Sequence, residues 1–262
     1  MLSVEGLSKT YQNGVVALQG FSLEVHLGEI VAVIGGSGCG KSTLLRLISG
    51  LDQPTAGKIA INGEAVRAPH QLINLIFQEP RLLPWLTVGE NIRFGLSHLD
   101  RRERDKRATA ALAQVHLAGY ENSLPKELSG GQAQRAAIAR ALVTQPEVLL
   151  LDEPFSALDA LTRSALQNHL VGIWRQTHST MIIVTHDIEE AVALAHRVIV
   201  MQPSPGRIME EIAINLPMPR EVSGQAVDRY KKKVRASLNR SLSKSGAVMR
   251  DAEVISIVED IA

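Results

Sequence analysis

Apolar positions along the chain follow two rhythms. Ile30-Val31-Ala32-Val33-Ile34, Val148-Leu149-Leu150-Leu151 and Met181-Ile182-Ile183-Val184 are unbroken runs of strand length, as expected for strands buried on both faces. Val15 to Val25, Lys58 to Ile61 and Leu72 to Phe77 give further strand signals, punctuated by turns at Asn13-Gly14 and Asn62-Gly63. From about Thr87 to Thr144 the rhythm becomes helical. There Asp100 to Arg107 predicts a charged, solvated opening, and Ala108 to Leu117 an Ala- and Leu-rich continuation. A helix is predicted from about Asp159 to Arg175, with Leu158, Leu161, Ala165, Leu170 and Ile173 as its apolar face. After Leu216-Pro217-Met218-Pro219, Val227, Tyr230, Val234, Leu238 and Leu242 recur at three- and four-residue spacing among Lys231, Lys232, Lys233, Arg235 and Arg240. This predicts a basic amphipathic helix packed on the core, with a regulatory or membrane-surface role as the alternative.

Strands alternating with helices predict an α/β fold with a mostly parallel sheet covered on both faces. Its core is expected to comprise residues 1–86 and 146–216. A helical subdomain is expected at 87–145 and a helical extension at 217–262. The hydrophobic content of 45% is ample for a core, although aromatics make up only 3%. A formal net charge of +1 gives no electrostatic reason to bind nucleic acid, and no such partner is expected. The single cysteine, Cys39, excludes an intrachain disulfide and points to a reducing compartment. Met1-Leu2-Ser3-Val4-Glu5 lacks the basic-then-apolar pattern of a secretory signal. No apolar run approaches the roughly 18 residues that span a bilayer.

Chemistry enters directly after the first buried run. Gly35-Gly36-Ser37-Gly38-Cys39-Gly40-Lys41-Ser42 has the spacing G-x-x-x-x-G-K-S, and Thr43 to Ile48 continues it with helix-compatible residues. Glycines let the backbone turn its N–H groups toward phosphate oxygens, and a helix start adds partial positive charge. Lys41 would carry a full charge to the outer phosphates, and Ser42 would offer a hydroxyl to Mg²⁺. A Gly-rich turn with an incidental lysine is the plainer alternative. A second candidate is Asp152-Glu153, where a buried run ends in two carboxylates, the position at which α/β sheets bind ligands. Beside a phosphate loop, Asp152 is expected to hold Mg²⁺ and Glu153 to polarise the attacking water.

Leu128-Ser129-Gly130-Gly131-Gln132-Ala133-Gln134-Arg135 narrows the class. With the phosphate loop and the acidic pair, the chain resembles the ATP-binding cassette (ABC) proteins over about residues 2–216. The resemblance implies a P-loop core, an N-terminal antiparallel β region and an inserted helical subdomain. It also implies ATP and Mg²⁺ as cofactors, and two chains that sandwich ATP head to tail. Ser129, Gly130, Gly131 and Gln132 would then meet the phosphates bound by the other copy. Gln78 matches the glutamine that reaches Mg²⁺ and the attacking water, and His186 the switch histidine near the γ-phosphate. Ser156-Ala157-Leu158-Asp159 matches the segment that crosses the dimer interface, with Asp159 counted among the ATP contacts. Tyr11 stands at the place of the aromatic that stacks on adenine.

Leu82-Leu83-Pro84-Trp85-Leu86-Thr87-Val88, Glu153 to Arg163 and Pro203 to Ile208 resemble segments of the ATPases of nitrate, sulfonate and taurine importers. That resemblance implies two membrane permease subunits, with Leu82 to Val88 as the segment that receives the coupling helix of a permease subunit. It further implies a solute-binding protein upstream and a peripheral location on the cytoplasmic face of the inner membrane. Gly36 departs from the pattern, since proline is frequent there. A cassette ATPase acting on nucleic acid and a separate exporter ATPase remain as alternatives.

Overall fold

A computed structural model describes residues 1–156, 158–220 and 224–259. Ala157, within the expected interface segment, and residues 221–223 and 260–262 of the extension lie outside the described residues.

The three apolar runs become β3 (Ile30–Gly35), β7 (Val148–Asp152) and β8 (Thr180–Thr185), central strands of one sheet. β6 (Ile73–Ile76), β9 (Arg197–Gln202) and β10 (Arg207–Ala213) complete it in the order β10-β9-β3-β8-β7-β6. Every pairing in it is parallel except that of β10 with β9. The runs lack polar alternation because both faces are covered. Ile30, Ala32 and Ile34 enter one apolar cluster while Val31 and Val33 enter the other. The second cluster is closed by α1 (Lys41–Ile48) and an antiparallel sheet, β2-β1-β4-β5. Those strands are β1 (Leu2–Thr10), β2 (Val16–Val25), β4 (Ala56–Ile61) and β5 (Glu64–Ala65).

The first cluster is closed by helices. α2 (Val88–Arg93), α3 (Arg101–Gln114) and α4 (Gly130–Leu142) follow β6, and α5 (Ala160–Thr177) and α6 (Ile188–Leu194) flank β8. Their starts are capped by side-chain oxygens of Thr87, Asp100, Ser129, Asp159 and Asp187. Such caps satisfy N–H groups that a helix start leaves without partners. The apolar face of α5 differs from the one read in the sequence. Leu166, Leu170, Val171 and Ile173 are buried, whereas Leu161 is 85% exposed and Ala165 also faces out. At 100° per residue, Leu161 points about 140° away from Leu166, so the two cannot share a face.

α7 (Gln225–Glu259) continues from the core as one long helix. Val227 and Val234 are buried, and Tyr230 and Leu238 pack beside them. Two of its basic side chains are spent on ion pairs to the core. Lys231 Nζ lies 3.1 Å from Glu189, and Arg240 2.6 Å from Glu210. No helix among the described residues is long and apolar enough to cross a membrane.

Candidate functional site

The parallel register aligns the carboxyl ends of β3, β7 and β8, pairing Ile34 with Thr185 and Asp152 with Val184. Residues that follow these strands therefore meet at one edge. From β3 the chain turns through Gly36–Gly40 into α1. Gly40 caps that helix in the left-handed region at φ 88°, and a Cβ there would stand 2.7 Å from Ala17 O. Only glycine tolerates both the angle and the approach. Ser37 and Gly38 are exposed at the crest of the loop, while Cys39 is buried beneath it. Burial pushes the Cys39 thiol up from its ordinary value, which makes it a poor nucleophile. Its N–H donates to Gly36 O at 3.3 Å and so serves the loop itself.

Lys41 is buried, and its ammonium donates to Gly35 O at 2.9 Å and Gly36 O at 3.2 Å. The next residue, Ser42, donates from Oγ to Asp152 Oδ1 at 3.3 Å. Burial raises the Asp152 carboxyl, opposed by the Ser42 hydrogen bond; Glu153 adds repulsion, and Lys41 and Arg81 partly offset it. Thr43, one residue further, meets the Tyr11 hydroxyl at 3.2 Å. The Tyr11 ring is 37% exposed and has Lys9 Nζ 5.2 Å from its centroid.

A second group forms around Glu153, which takes a positive φ of 45°, unusual for a residue with a Cβ. Its Oε2 lies 3.2 Å from His186 Nδ1, and its carbonyl accepts from Ser156 Oγ at 3.0 Å. Ser156 Oγ accepts in turn from Gln78 Nε2 at 3.2 Å. The structure thus brings Gln78, Glu153, Ser156 and His186 together, next to Ser42 and Asp152. A cavity of about 590 Å³ opens here, lined by Ser42, Gln78 and Asp152 and by the cations Arg46 and Arg81. The arginines belong to no motif. Arg81 is recognisable only in three dimensions, where its guanidinium stacks 4.0 Å from the Phe77 ring centroid.

Ser129, Gly130, Gly131 and Gln132 stand apart from this group, at the start of α4. Ser129 Oγ accepts from Gln132 N at 3.3 Å, and Gln132 Oε1 accepts from Ser129 N at 2.8 Å. Ser129 and Gly130 are exposed. Among the described residues, no hydrogen bond joins residues 129–132 to residues 35–43. Asp159 is likewise occupied in capping α5, through Leu161 N and Thr162 N.

A phosphate-type loop between a buried parallel strand and a helix, with paired carboxylates at the end of β7, one strand removed from β3 in the same sheet, defines a P-loop ATPase. The chain belongs to the ABC transporter family, whose sequence profile matches residues 18–156. It is 49% identical to the aliphatic sulfonates import ATP-binding protein SsuB of Bacillus cereus, over 89% of this chain and 94% of that protein. It is also 44% identical to an uncharacterized ABC transporter ATP-binding protein, MJ0412, of Methanocaldococcus jannaschii, over 93% of each chain. Among solved structures, the ATP-binding cassette MJ0796, a dimer bound to ADP and Pi, superposes with a TM-score of 0.74 at 33% identity. That match covers 83% of this chain and all of the other. The cbiO1 protein of Clostridium perfringens, part of the cbiONQ transporter complex, gives 0.75 at 30% identity over 95% of this chain and 98% of that one.

Proposed function

We propose that this chain is the ATP-hydrolysing subunit of an importer for aliphatic sulfonates or a similarly small anion. Two copies would act together on two membrane permease subunits, at the cytoplasmic face of the membrane, with a solute-binding protein delivering the anion. The 3.2 Å approach of His186 Nδ1 to Glu153 Oε2, at the strand edge that also holds Lys41 and Asp152, carries the hydrolytic part of this reading. The sulfonate-import relatives support the solute class.

In this reading, the Lys41 ammonium exchanges its carbonyl partners for phosphate oxygens, and backbone N–H groups of the loop and the α1 start, that of Cys39 only on leaving Gly36 O, line the same cradle. Tyr11 covers the base. Ser42, Asp152 and Gln78 fit a hard cation: a hydroxyl and a carboxylate oxygen already converge, and the half-buried carboxylate is short of positive charge. Bound there, Mg²⁺ offsets the charge of the outer phosphates. Glu153 orients the attacking water and accepts its proton, while His186 fixes the carboxylate and faces the γ-phosphate. Ser129 to Gln132 and Asp159 complete the site from the second copy.

The docking face for a permease would be Leu82 to Val88. Trp85 is 73% exposed there, and Phe94 on the neighbouring turn is 66% exposed. A large aromatic left in water suits an interface anchor.

Replacing Glu153 by Gln preserves shape and removes the base. The variant is expected to bind ATP, lose turnover and elute as a dimer with ATP present. An ATP-loaded variant that elutes as a monomer would overturn the two-copy reading. Co-purification from membranes identifies the permease, and loss of alkanesulfonate uptake on deletion of the gene checks the solute.

A further inference from the structure

Arg163 lies one turn into α5, in a segment that the site description does not use. Its Nη2 donates to the Leu158 carbonyl at 3.1 Å, and its own N–H is held by Asp159 O at 2.9 Å. On the other side its guanidinium meets two carboxylates from the start of α6. Nη1 is 3.5 Å from Asp187 Oδ2, and Nε is 3.9 Å from Glu190 Oε1. Nε is buried and makes no hydrogen bond. At 3.9 Å the attraction to Glu190 is that of charges alone, because a hydrogen bond needs a shorter approach.

These carboxylates hold the turn that carries His186. Asp187 Oδ1 accepts from Glu189 N at 2.7 Å and Glu190 N at 3.3 Å. Glu190, 4% exposed, accepts from Thr185 Oγ1 at 2.6 Å, and Thr185 Oγ1 accepts from Asp187 N at 3.0 Å. Both residues that flank His186 are therefore tied into the network that Arg163 closes. Burial pushes the Glu190 carboxyl up, the Thr185 hydrogen bond draws it down, and Arg163 supplies nearby positive charge. Without that charge, the carboxylate would sit buried beside Asp187, which is costly. The same end of α5 also touches α4: a Cβ on Gly131 would come within 2.5 Å of Thr162 Cγ2.

We propose that Arg163 is a positioning residue for hydrolysis, linking Leu158 and Asp159 to the turn that aims His186 at Glu153. It acts through these partners and not on the reacting groups themselves. It passes the position of the interface-side segment, and of α4 behind it, to the histidine. Its two carboxylate contacts are long in this structure, so a shift of α5 by less than an ångström toward α6 would tighten both. A half-buried charge network with one slack side suits a joint that sets when the second copy closes. The inference rests on the roles proposed above for Glu153 and His186.

The test is steady-state ATPase kinetics of the full chain, with thermal melting of each variant. Arg163→Met keeps the length of the side chain and removes its charge. The expected result is a fall in kcat of about 10- to 100-fold, as for a catalytic group displaced by about 1 Å, with KM for ATP within about threefold of wild type. Arg163→Lys restores charge without the fork and is expected to lie between. Glu190→Gln should lower kcat with the same split, and the double variant Arg163→Met/Glu190→Gln should fall no further than the worse single one. If Arg163→Met does not fold, Arg163→Lys and Glu190→Gln decide alone. An unchanged kcat per folded protein overturns the proposal, as does a change in KM alone, a fall in melting temperature alone, or losses that multiply. Glu153→Gln is measured alongside. If it retains turnover, the reading of the site fails; if it loses turnover while the Arg163 variants do not, only the joint fails.

Discussion

Asp152 shows how a single position can work against the fold that holds it. Its carboxylate ends a central strand, where burial and the neighbouring Glu153 both oppose ionisation. Raising a carboxyl above its unfolded value weakens the folded state at neutral pH, because the fold then binds a proton more tightly than the open chain does. Asp152→Asn removes this penalty. The expected result, without nucleotide, is a higher melting temperature than wild type at pH 7. That advantage is full above the raised folded pKa and shrinks as pH falls through it. It disappears below the ordinary aspartate value of 3.8. With Mg²⁺ and ATP the order should reverse, since the variant loses the ligand-linked stabilisation. Melting curves from pH 4 to 8 check the sign. An advantage that grows on acidification would show that the carboxylate is stabilised in the fold.

At the scale of elements, legibility follows burial for the three central strands, although β9, with Val198 to Met201 equally buried, was not singled out. β3, β7 and β8 were plain in the sequence because strands covered on both faces have no solvent side to interrupt them. The phosphate loop and Asp152-Glu153 were plain for the same reason, each sitting at the end of such a strand, whereas Ser129 to Gln132 open a helix and were legible only as a motif. β1 was not singled out: its alternation of Leu2 and Val4 breaks before Leu7, where the pairing shifts register and Gly6 takes φ 56°. Nor was β10, an edge strand with Glu210 and Glu211 in its middle, one of which meets α7. Arg81 and Asn91 belong to no motif, and their roles come from how the folded chain turns back on nearby residues. Arg163 has a signal only as the end of the segment Glu153 to Arg163. Asn91 is fully buried in α2. Its Nδ2 donates to the carbonyls of Leu83, Leu86 and Thr87 at 3.0–3.1 Å, and its Oδ1 accepts from Leu83 N at 2.7 Å. One side chain thus shapes the segment that exposes Trp85. Asn91→Ala should cost about 1–3 kcal/mol in chemical denaturation, because several backbone groups lose their partner. ATPase stimulation by the permease should fall further than the basal rate.

Across the whole molecule, the two ends proposed to bind phosphate are built on different layers. Lys41 and Ser42 begin α1, between the two sheets, whereas Ser129 begins α4, beyond the helical face of the parallel sheet. Among the described residues, the hydrogen bond of Ser129 Oγ is to its own helix, and the site around Asp152 is an open cavity of about 590 Å³. In the proposed reading, a chain with one of each, held apart, closes its site by exchanging them with a second copy. That geometry makes a prediction that no single-chain site can meet. Lys41→Ala disables the phosphate loop and Ser129→Arg blocks the α4 start, so each variant alone should be inactive. Mixed in equal amounts, half of the dimers would pair the two variants. Each such pair would hold one intact loop facing one intact α4 start. If sites turn over independently, activity should recover to about a quarter of wild type. Recovery should also rise with total protein concentration before levelling, as association requires. Titrating one variant into the other at fixed total protein measures both. A mixture that stays inactive at concentrations where wild type is dimeric would mean that residues 129–132 and the phosphate loop do not meet across copies.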